Sequence, residues 1–566
     1  MSPGLIETLR TQVQSHFDSY TKHHIDKTTI PLYLFLSGAG TGKSRNAAEL
    51  HQTAYKCFSG HYFQRNEKLA NLILGSFVFH VSFENGTSIL PSEKDPLLAI
   101  GSRMFLQLIQ DETGSLSLED VHAKFHPPTP LALIRFFAKQ TPGRAFFLIV
   151  DGLKNIQDIF GETILMQTLT ALGDLAQRGF IIVCGTSTFY GPVDKILKGS
   201  RRRRVLLPCT SLEPPNINNK PAFSLSGIVE KVLVQDCGGH GRALEVLTDI
   251  IPALSRDATV EVKFLVVQRL HELYKGTLPR EADALGIVRA VIANRCLERD
   301  ELIPGTSVTP DEVVQNGLVR FETDGHTSSG YLKVPYIWVL VLATTYHGNR
   351  FFEELQLLDY RDFRVREDST LPGGFSWADF ECLMVKIRKI KSHVFEDQSF
   401  VTLGNLHSGA FMTDDTKSVC IRNHHLQDDV AIHQTMSQTT SSNQHQWLIN
   451  TDNSGNIDLR WHRHIVRNAS GAPAADAIVS LQSNPVRTEC LQFKNTKEGR
   501  LDFQRERMKA AGSGDIFALF CTSSIPSLRT NGTYHVPSGT VLVVKENWQN
   551  YFGPYAGRSY LFAKEV

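Results

Sequence analysis

Short apolar runs alternate with longer amphipathic segments through the first part of the chain. Four of the runs, at residues 32–36, 77–83, 144–151 and 179–184, have the length and composition of buried β-strands. The segments 1–30, 95–110 and 162–178 repeat their apolar residues at helical spacing. Strands that alternate with helices predict a parallel sheet covered by helices on both faces.

Each apolar run is followed by small or polar residues, which begin at Ser37, Glu84, Asp151 and Gly185. The carboxyl ends of parallel strands meet at one edge of a sheet, and ligands bind at that edge in open α/β sheets. We therefore expect these four chain positions to lie near a common ligand site.

The first run continues into a glycine-rich turn, residues 37–44, which precedes a helix predicted from Asn46. Strand, glycine turn and helix in this order form a phosphate cradle, because glycines let backbone N–H groups converge on the phosphates. Lys43 is expected to reach the β- and γ-phosphates and Ser44 to ligate Mg²⁺. The pattern departs from the full signature at Ser37, which replaces its first glycine. The residues expected to bind ATP are Gly38, Ala39, Gly40, Thr41, Gly42, Lys43 and Ser44.

Polar residues after the later strands suit the other roles of a nucleotide site. Asp151 closes an apolar strand and is expected to hold Mg²⁺ together with Ser44. The residue after it is Gly152 rather than the usual glutamate, so Glu84 is the candidate that positions the attacking water. Thr186 or Ser187 could contact the γ-phosphate, although small polar residues are also common in loops.

Two further basic features are each compatible with more than one role. The run at 195–204, KILKGSRRRR, fits a nuclear-import address, an arginine supplied to the γ-phosphate, or a solvated loop. Residues 225–275 have a helical pattern interrupted by the glycines before Arg242, which begins the next helix. Arg242 could reach the nucleotide from this helical lid, or lie at the surface as an ordinary charge at the start of a helix.

The pattern changes again after residue 300. A short helix from 308 and two strands around a glycine-rich tip, 324–330, suggest a winged helix, a module that either reads DNA or packs against other domains. The residues 371–374 form a linker, followed by an amphipathic helix at 377–392 and then mostly strands. The predicted domains are 1–212, 213–299, 300–370 and 371–566.

A second candidate site lies in the last third of the chain. Strands are predicted at 474–481 and 486–494, separated by turn residues. Gln492 and Lys494 are two residues apart and share a strand face, and a hairpin would bring Asp476 near that face. One carboxylate, one amide oxygen and one ammonium suit a hard cation that assists phosphodiester cleavage. Glu381, on the preceding helix, could add a carboxylate. Alternatively, Asp476, Gln492 and Lys494 are ordinary surface residues, because charged and polar side chains are common on exposed strand faces.

Composition narrows the class of protein. At 566 residues the chain is long enough for three or four domains, and its net charge of +1 gives no global signature of nucleic-acid binding. Its nine cysteines include no C-x-x-C pair, which favours reduced thiols in a cytosolic or nuclear compartment. The longest apolar run, 336–343, is too short to cross a bilayer, and no signal peptide is expected after Met1. The six histidines between 424 and 464 lack zinc-site spacing and are expected at the surface.

In their order along the chain, several segments resemble the Crinkler effectors of oomycetes and fungi and the retrotransposon hot spot proteins of trypanosomes. They include LSGAGTGKSRNAAEL, FHVSFENGT, LIVDG, CGGHGRALE, WADFE, AADAIVSL, ECLQFK and ENWQNYFGPYAGRSYLF. The resemblance implies an α/β multidomain protein: a P-loop NTPase with helical lid and winged helix, followed by an α/β restriction-endonuclease-like domain.

For the sites, the resemblance implies a magnesium-dependent nuclease centre at Glu381, Asp476, Gln492 and Lys494, with Asp476 as the metal ligand. Gln492 stands where a full nuclease motif has an acid, and no N-terminal translocation segment is evident. The family implies ATP, Mg²⁺, double-stranded DNA and host nuclear proteins as partners, secretion and transfer into a host nucleus, and DNA damage that leads to cell death. The alternatives are a nucleotide-dependent binding protein whose last domain is inactive, and an ATP-driven remodeller with a structural tail.

Overall fold

The computed structural model describes most of the chain, with gaps that concentrate around 252–261, 357–376 and 432–474. The described residues are 3–59, 63–84, 87–113, 116–188, 191–209, 211–214, 216–217, 220–223, 225, 228–251, 262–323, 329–356, 377–423, 426–431, 438–439, 445–449, 455–457, 464–467, 475–484, 487–497, 499–512 and 514–565. They form two compact units. Unit 1 comprises Met1–Leu212, His240–Arg242 and Pro310–Ser328, and unit 2 comprises Glu213–Gly239, Ala243–Thr309 and Ser329–Val566.

Helices and strands alternate in the first part of the chain. The helices are α1 (Pro3–Thr21), α2 (Lys43–Ala48), α3 (Leu50–Phe58), α4 (Phe63–Leu74), α5 (Pro96–Thr113), α6 (Leu118–Lys124), α7 (Pro130–Gln140), α8 (Leu153–Phe160), α9 (Glu162–Ala176) and α10 (Gly191–Gly199). The strands are β1 (Leu32–Leu36), β2 (Phe77–Ser82), β3 (Phe146–Asp151), β4 (Ile181–Ser187) and β5 (Arg204–Leu206).

Helices dominate the middle of the chain. They are α11 (Ile228–Asp236), α12 (Gly241–Ile250), α13 (Val262–Tyr274), α14 (Glu281–Ile292), α15 (Pro310–Gln315), α16 (Tyr336–Thr345) and α17 (Arg350–Glu354). The strands are β6 (Asn216–Ile217), β7 (Lys220–Pro221), β8 (Cys296–Glu298), β9 (Arg320–Thr323) and β10 (Ser329–Lys333). The short helix and two strands predicted after residue 300 are therefore present, and residues 324–328 of the predicted tip lie outside the described residues.

Strands dominate the last part of the chain, as predicted. The helices are α18 (Trp377–His393), α19 (Leu403–Leu406), α20 (Asp414–Lys417), α21 (Phe503–Ala510), α22 (Trp548–Phe552) and α23 (Ala556–Glu565), with 3-10 turns at Pro526–Leu528 and Gly553–Tyr555. The strands are β11 (Phe400–Thr402), β12 (Cys420–Arg422), β13 (Gln427–Ala431), β14 (Gln438–Thr439), β15 (His445–Ile449), β16 (Gly455–Ile457), β17 (His464–Arg467), β18 (Ala477–Leu481), β19 (Arg487–Lys494), β20 (Ile516–Cys521), β21 (Arg529–Thr530), β22 (Thr533–Tyr534) and β23 (Thr540–Val543).

Unit 1 is built on a five-stranded sheet in the order β2-β3-β4-β1-β5. Its neighbouring strands are all parallel, which confirms the predicted sheet. Side chains of the interior strand β3 are buried on both faces, since alternate residues such as Phe147 and Leu148 enter two different apolar clusters. This is the burial expected of a parallel sheet between two helical layers. The sheet therefore aligns the ends of β1, β2, β3 and β4 along one edge.

The basic run of unit 1 has a structural role. Arg202 is buried and its guanidinium lies 2.7 Å from the Asp174 carboxylate of α9. Arg203 donates hydrogen bonds to the Gln12 side chain at 2.7 Å and to the Thr29 carbonyl at 2.9 Å. The suggestion of a solvated loop is wrong for these two arginines, because both tie the sheet edge to surrounding helices and loops. Arg202 is removed from solvent, whereas Arg203 is partly exposed.

Unit 2 contains a mixed six-stranded sheet in the order β13-β17-β18-β19-β20-β23. Strands β18 and β19 form the predicted antiparallel hairpin, and β20 and β23 continue the sheet in parallel. Side chains alternate between the two faces of β19. Cys490 packs with Phe503 of α21 on one face, whereas Phe493 packs against Phe380 of α18 on the other. The sheet is therefore covered by α21 on one side and α18 on the other.

The C-terminal segment ENWQNYFGPYAGRSYLF folds as part of this unit. Trp548, Tyr551 and Tyr555 are buried, and the guanidinium of Arg558 makes a two-point ion pair with Asp236 of α11, at 2.6 and 3.1 Å. Because a buried bidentate pair fixes both partners, this contact fastens α23 to α11. The residues that carry the resemblance at this end of the chain are thus core residues.

Within the described residues, none of the helices combines the length and the hydropathy needed to cross a membrane. All nine cysteines are unpaired, as expected from their spacing.

Candidate functional sites

The glycine turn of unit 1 has the backbone of a phosphate cradle. Gly40 and Gly42 have φ angles of 76° and 92°, in the left-handed region that favours glycine. The turn leads directly into α2, which begins at Lys43 rather than at the predicted Asn46. The hydroxyl of Thr41 donates to the Gly38 carbonyl at 2.8 Å, which closes the turn from within.

The predicted magnesium pair is assembled at the end of β3. The Ser44 hydroxyl donates to the Asp151 carboxylate at 2.9 Å, and Asp151 is fully buried. Thr186 and Ser82 also donate to this carboxylate, at 2.5 and 3.2 Å. Thr186 accepts in turn from the backbone N–H of Gly152 at 3.0 Å. Side chains of α2, β2 and β4 therefore fix Asp151. Thr186, predicted as a possible γ-phosphate sensor, is hydrogen-bonded to the aspartate here.

Glu84 and Lys43 lie together beside this carboxylate. The Lys43 ammonium is 3.7 Å from a Glu84 oxygen, and the lysine side chain is only 5% exposed. Gly152 has a φ of 91°, and a Cβ at this position would lie 2.9 Å from Cγ of Glu84. The glycine that replaces the usual glutamate thus leaves room for Glu84, whose carboxylate enters the site from the neighbouring strand.

A segment that the sequence did not connect with the turn packs directly on it. Gly317, two residues after the end of α15, has a φ of 80°, and a Cβ on it would overlap the Ala39 carbonyl. A Cβ on Gly38 would likewise overlap the Val314 carbonyl. The His240 ring lies 2.7 Å from the Gly317 carbonyl, and burial lowers the pKa of His240 to about 4. A neutral imidazole is therefore expected at this contact.

Arg242 and Cys209 also lie beside the turn. The backbone N–H of Arg242 donates to the Gly40 carbonyl at 3.1 Å, so the start of α12 adjoins the glycine turn as the lid hypothesis requires. The Arg242 residue is exposed. Burial raises the pKa of the Cys209 thiol to about 11, although the nearby Lys43 charge opposes the shift. Cys209 is accordingly a neutral thiol, not a nucleophile, at neutral pH.

In unit 2, the β18–β19 hairpin brings Asp476 and Gln492 into contact. The Gln492 side-chain amide donates to the Asp476 carboxylate at 2.8 Å, and the backbone N–H of Phe493 donates to the same oxygen at 2.7 Å. Burial raises the pKa of Asp476, against the effects of the Phe493 N–H and the Lys494 charge. The carboxylate is thus held in a largely dry environment that disfavours its charge.

Lys494 lies on the same face of β19 as Gln492. It is close to an acidic residue of α21 that the sequence pattern did not indicate. Its ammonium lies 3.4 Å from the Glu506 carboxylate of α21. Both side chains are about one-fifth to one-quarter exposed, so the pair is partly accessible to solvent. Glu506 was missed because it lies on a surface helix beyond the hairpin, and its pairing depends on how α21 packs.

Glu381 belongs to a helix that packs on the other face of the sheet. It is carried by α18, whose Arg388 and Phe380 contact Glu489 and Phe493 on the opposite face of β19 from Gln492 and Lys494. The two sets of residues lie on opposite faces because successive side chains of a strand point to alternate sides. The structure brings Asp476, Gln492 and Lys494 together, whereas the helix of Glu381 covers the other face; its role as a fourth member stays a prediction.

The donor set around Asp476 fits a hard cation. The Gln492 side chain is fully buried, and its Oε1 has no hydrogen-bond partner among the described residues. Because an unpaired buried oxygen is costly, it indicates a missing partner. The described residues contain no cluster of three or more His, Cys, Asp or Glu arranged for a metal. A cation here would be bound by the Asp476 carboxylate and the Gln492 amide oxygen, which are oxygen ligands that suit Mg²⁺ better than zinc.

Comparison with known proteins gives one curated relative over nearly the whole chain. The chain is 27% identical over 591 residues, covering 96% of itself, to "Crinkler effector protein 108" of Phytophthora sojae. It spans 66% of that relative's length. No protein-family model matches the chain.

Two solved structures show partial similarity to the chain. One is the Aeropyrum pernix ORC1 protein in complex with DNA, at 14% identity and a TM-score of 0.26, covering 61% of this chain and 93% of that one. A Walker-type ATPase of Pyrococcus abyssi follows, at 15% identity and a TM-score of 0.28, covering 59% and 94%. The parallel sheet with a phosphate-cradle turn is present in unit 1, and the chain as a whole is similar in sequence to a Crinkler effector.

Proposed function

We propose that this chain is a Crinkler-type effector in which an ATP-binding unit gates a magnesium-dependent DNA endonuclease. The observation that carries the proposal is the meeting of Asp476, Gln492 and Lys494 on adjacent strands of unit 2, in a chain whose unit 1 holds Ser44 against Asp151. The first set suits a phosphodiester and the second a triphosphate.

In the nucleotide unit, the turn of residues 38–42 surrounds the phosphates and Lys43 neutralises their charge. Ser44 and Asp151 would hold Mg²⁺, and their contact at 2.9 Å supports this role. Glu84, beside Lys43, orients the attacking water, while the start of α12 adjoins the turn and carries Arg242. ATP is the expected cofactor, and whether it is hydrolysed is decided by Glu84.

In the second unit, Asp476 would bind Mg²⁺ and the amide oxygen of Gln492 would assist it. Mg²⁺ bound there supplies a Lewis acid that lowers the pKa of water and offsets phosphate charge. Lys494 places its ammonium where negative charge develops on the scissile phosphate. Gln492 holds the Asp476 carboxylate in place through its Nε2 hydrogen bond, at 2.8 Å.

Double-stranded DNA is the proposed substrate. The similarity to a Crinkler effector supports secretion, entry into a host nucleus and contacts with host nuclear proteins, with DNA damage and cell death as the outcome. The proposed domain order is the nucleotide-binding core at 1–212, the lid at 213–299, the winged helix at 300–370 and the nuclease domain at 371–566.

A second candidate function is nucleotide-dependent binding without cleavage. It is favoured by one observation, that an amide, Gln492, occupies the position of the acid expected in a nuclease motif, which removes one negative ligand from the site. In this case the last domain holds DNA or a host protein and does not hydrolyse it.

Supercoiled plasmid incubated with purified protein and Mg²⁺ separates the two. The wild type is expected to nick the plasmid, and Asp476→Ala and Lys494→Ala to lower the rate by about 10²-fold or more. Asp414→Ala, at a side chain that is 98% exposed in the same unit, is the matched control and should cut like the wild type. Nicking that survives both site substitutions contradicts the assignment, and binding without nicking supports the second candidate.

A further inference from the structure

One carboxylate beside the proposed site of unit 2, that of Glu506, is not among the residues that the sequence predicted for the site. Glu506 lies on α21, which covers the same face of the sheet as Gln492 and Lys494. Its Oε2 lies 3.4 Å from the Lys494 ammonium, and its charge is close enough to Asp476 to oppose ionisation of that aspartate. Glu506 therefore stands within the electrostatic reach of both members of the proposed site.

Two oxygens at this place lack hydrogen-bond partners among the described residues. They are Oε1 of the fully buried Gln492 and Oε2 of Glu506, both removed from solvent. The Glu506–Lys494 contact, at 3.4 Å, is an ion pair without hydrogen-bond geometry. Since buried polar oxygens are almost always paired, the Gln492 oxygen beside the Asp476 carboxylate indicates a missing electropositive partner.

The charges around Gln492 indicate which kind of partner would satisfy its unpaired oxygen. Asp476 and Glu506 bring two negative charges, which face Lys494 and the exposed Lys509. Lys494 is already opposite Glu506, so it does not satisfy the Gln492 oxygen. A hard divalent cation takes carboxylate and amide oxygens together, and a second carboxylate offsets the acid that Gln492 replaces.

We propose that Glu506 is the second acidic ligand of the cation site formed with Asp476 and Gln492. This inference rests on the proposed nuclease function and extends it to a residue outside the hairpin. The same carboxylate lies 3.4 Å from the Lys494 ammonium, so it also holds the charge of Lys494 near the site.

Manganese binding tests the inference without relying on cleavage. Full-length protein free of nucleotide is titrated with MnCl₂, and free Mn²⁺ is followed by electron paramagnetic resonance. Glu506→Gln is expected to raise the Kd of the site that is sensitive to Asp476→Asn by about 10- to 100-fold. Glu506→Asp, which keeps the charge on a shorter side chain, should lose less affinity. Glu301→Gln, at an exposed glutamate of the same unit, is the control and should bind as the wild type does.

The outcomes separate the two proposals. If Asp476→Asn weakens Mn²⁺ binding and Glu506→Gln leaves it within twofold of the wild type, the role of Glu506 is refuted and the nuclease proposal stands. If neither substitution changes Mn²⁺ binding, both fall. Circular dichroism of each variant checks its fold. Should Glu506→Gln fail to fold, Glu506→Asp decides, and an affinity equal to that of the wild type overturns the inference.

Discussion

Because Gly152 has no side chain, a carboxylate from the end of another strand can lie beside it. The residue after Asp151 has no Cβ, and the space beside it is taken by Glu84 from the end of β2. Glu84 thereby reaches within 3.7 Å of the Lys43 ammonium. We propose that this carboxylate, next to the lysine, orients water and does not hold the metal.

Replacement of Glu84 by Gln is expected to stop ATP turnover and spare ATP binding. The amide keeps the size of the side chain but cannot accept the proton of water, and loss of such a group lowers kcat by about 10²-fold or more. Steady-state ATPase measurements and titration with a fluorescent nucleotide check the two parts. Glu49→Gln, at a half-exposed glutamate of the same unit, is the control. Unchanged ATPase activity of Glu84→Gln would remove Glu84 from the mechanism.

Asp476 gives a pH-dependent prediction. Burial raises its folded-state pKa above the ordinary value, so its effect on stability is fully favourable only below the unfolded-state pKa of about 3.9 and is lost as pH rises through the folded-state pKa. At neutral pH the ionised carboxylate therefore destabilises the fold. Asp476→Asn removes that charge and retains an oxygen acceptor for the two hydrogen bonds.

We expect Asp476→Asn to melt at a higher temperature than the wild type at pH 8, with the difference shrinking as pH falls toward about 4. Differential scanning calorimetry across this range measures it. A variant that melts at the same temperature as the wild type, or below it, at pH 8 would show that the buried charge is compensated in the metal-free protein.

At the scale of elements, α18 is fastened to the central strand β19 by a buried ion pair. Arg388 and Glu489 are both almost fully buried, and the guanidinium donates at 2.7 and 3.1 Å. Burial alone would raise the pKa of Glu489, but the Arg388 guanidinium and His407 hold it well below its ordinary value. The pair therefore stays charged inside the sheet–helix interface.

Arg388→Met is expected to destabilise the chain by about 3–5 kcal/mol, because it leaves the Glu489 carboxylate buried without its counter-charge. Urea unfolding monitored through unit 2 measures the loss. The double substitution Arg388→Met with Glu489→Gln should recover much of it. Equal destabilisation by the single and double changes would mean that shape, and not charge, holds α18 in place.

The segment after α15 gives a second prediction at this scale. Gly317 adopts a left-handed φ of 80° with its Cα against the Ala39 carbonyl, so Gly317→Ala forces both strain and a clash into the glycine turn. We expect ATP affinity to fall by about tenfold, from strain on the order of 1–3 kcal/mol. Gly305→Ala, at a glycine of similar φ with open space around it, is the control for backbone strain alone. Equal ATP affinity in both variants would contradict a role for the Gly317 contact.

Features formed by consecutive residues could be predicted from the sequence, whereas contacts between distant elements could not. The strand–turn–helix at 32–44 was predictable because all its parts are consecutive, and so was the β18–β19 hairpin with Gln492 and Lys494 on one face. Glu506 and the Gly317 contact depend on how distant elements pack, which periodicity does not encode. The arginines of the basic run appeared free in sequence because their partners, such as Asp174 and Gln12, lie far away along the chain.

For the whole molecule, we propose that one polypeptide contains two anion-binding sites. One is the turn at 38–44 with Asp151 in unit 1, and the other is the Asp476–Gln492–Lys494 set in unit 2. If nucleotide binding biases a conformational equilibrium, ATP must have different affinities for the cutting and non-cutting states. Coupling of this kind typically changes a rate or affinity by about 5- to 150-fold.

The most direct test is the rate of plasmid nicking in Mg²⁺ with and without ATP, for the wild type and for Lys43→Ala. We predict that ATP changes the wild-type rate by about tenfold or more, and that Lys43→Ala cuts at one rate whether or not ATP is present. Wild-type nicking at the same rate in both conditions, or an ATP response that survives Lys43→Ala, would contradict the proposal that nucleotide binding controls the nuclease.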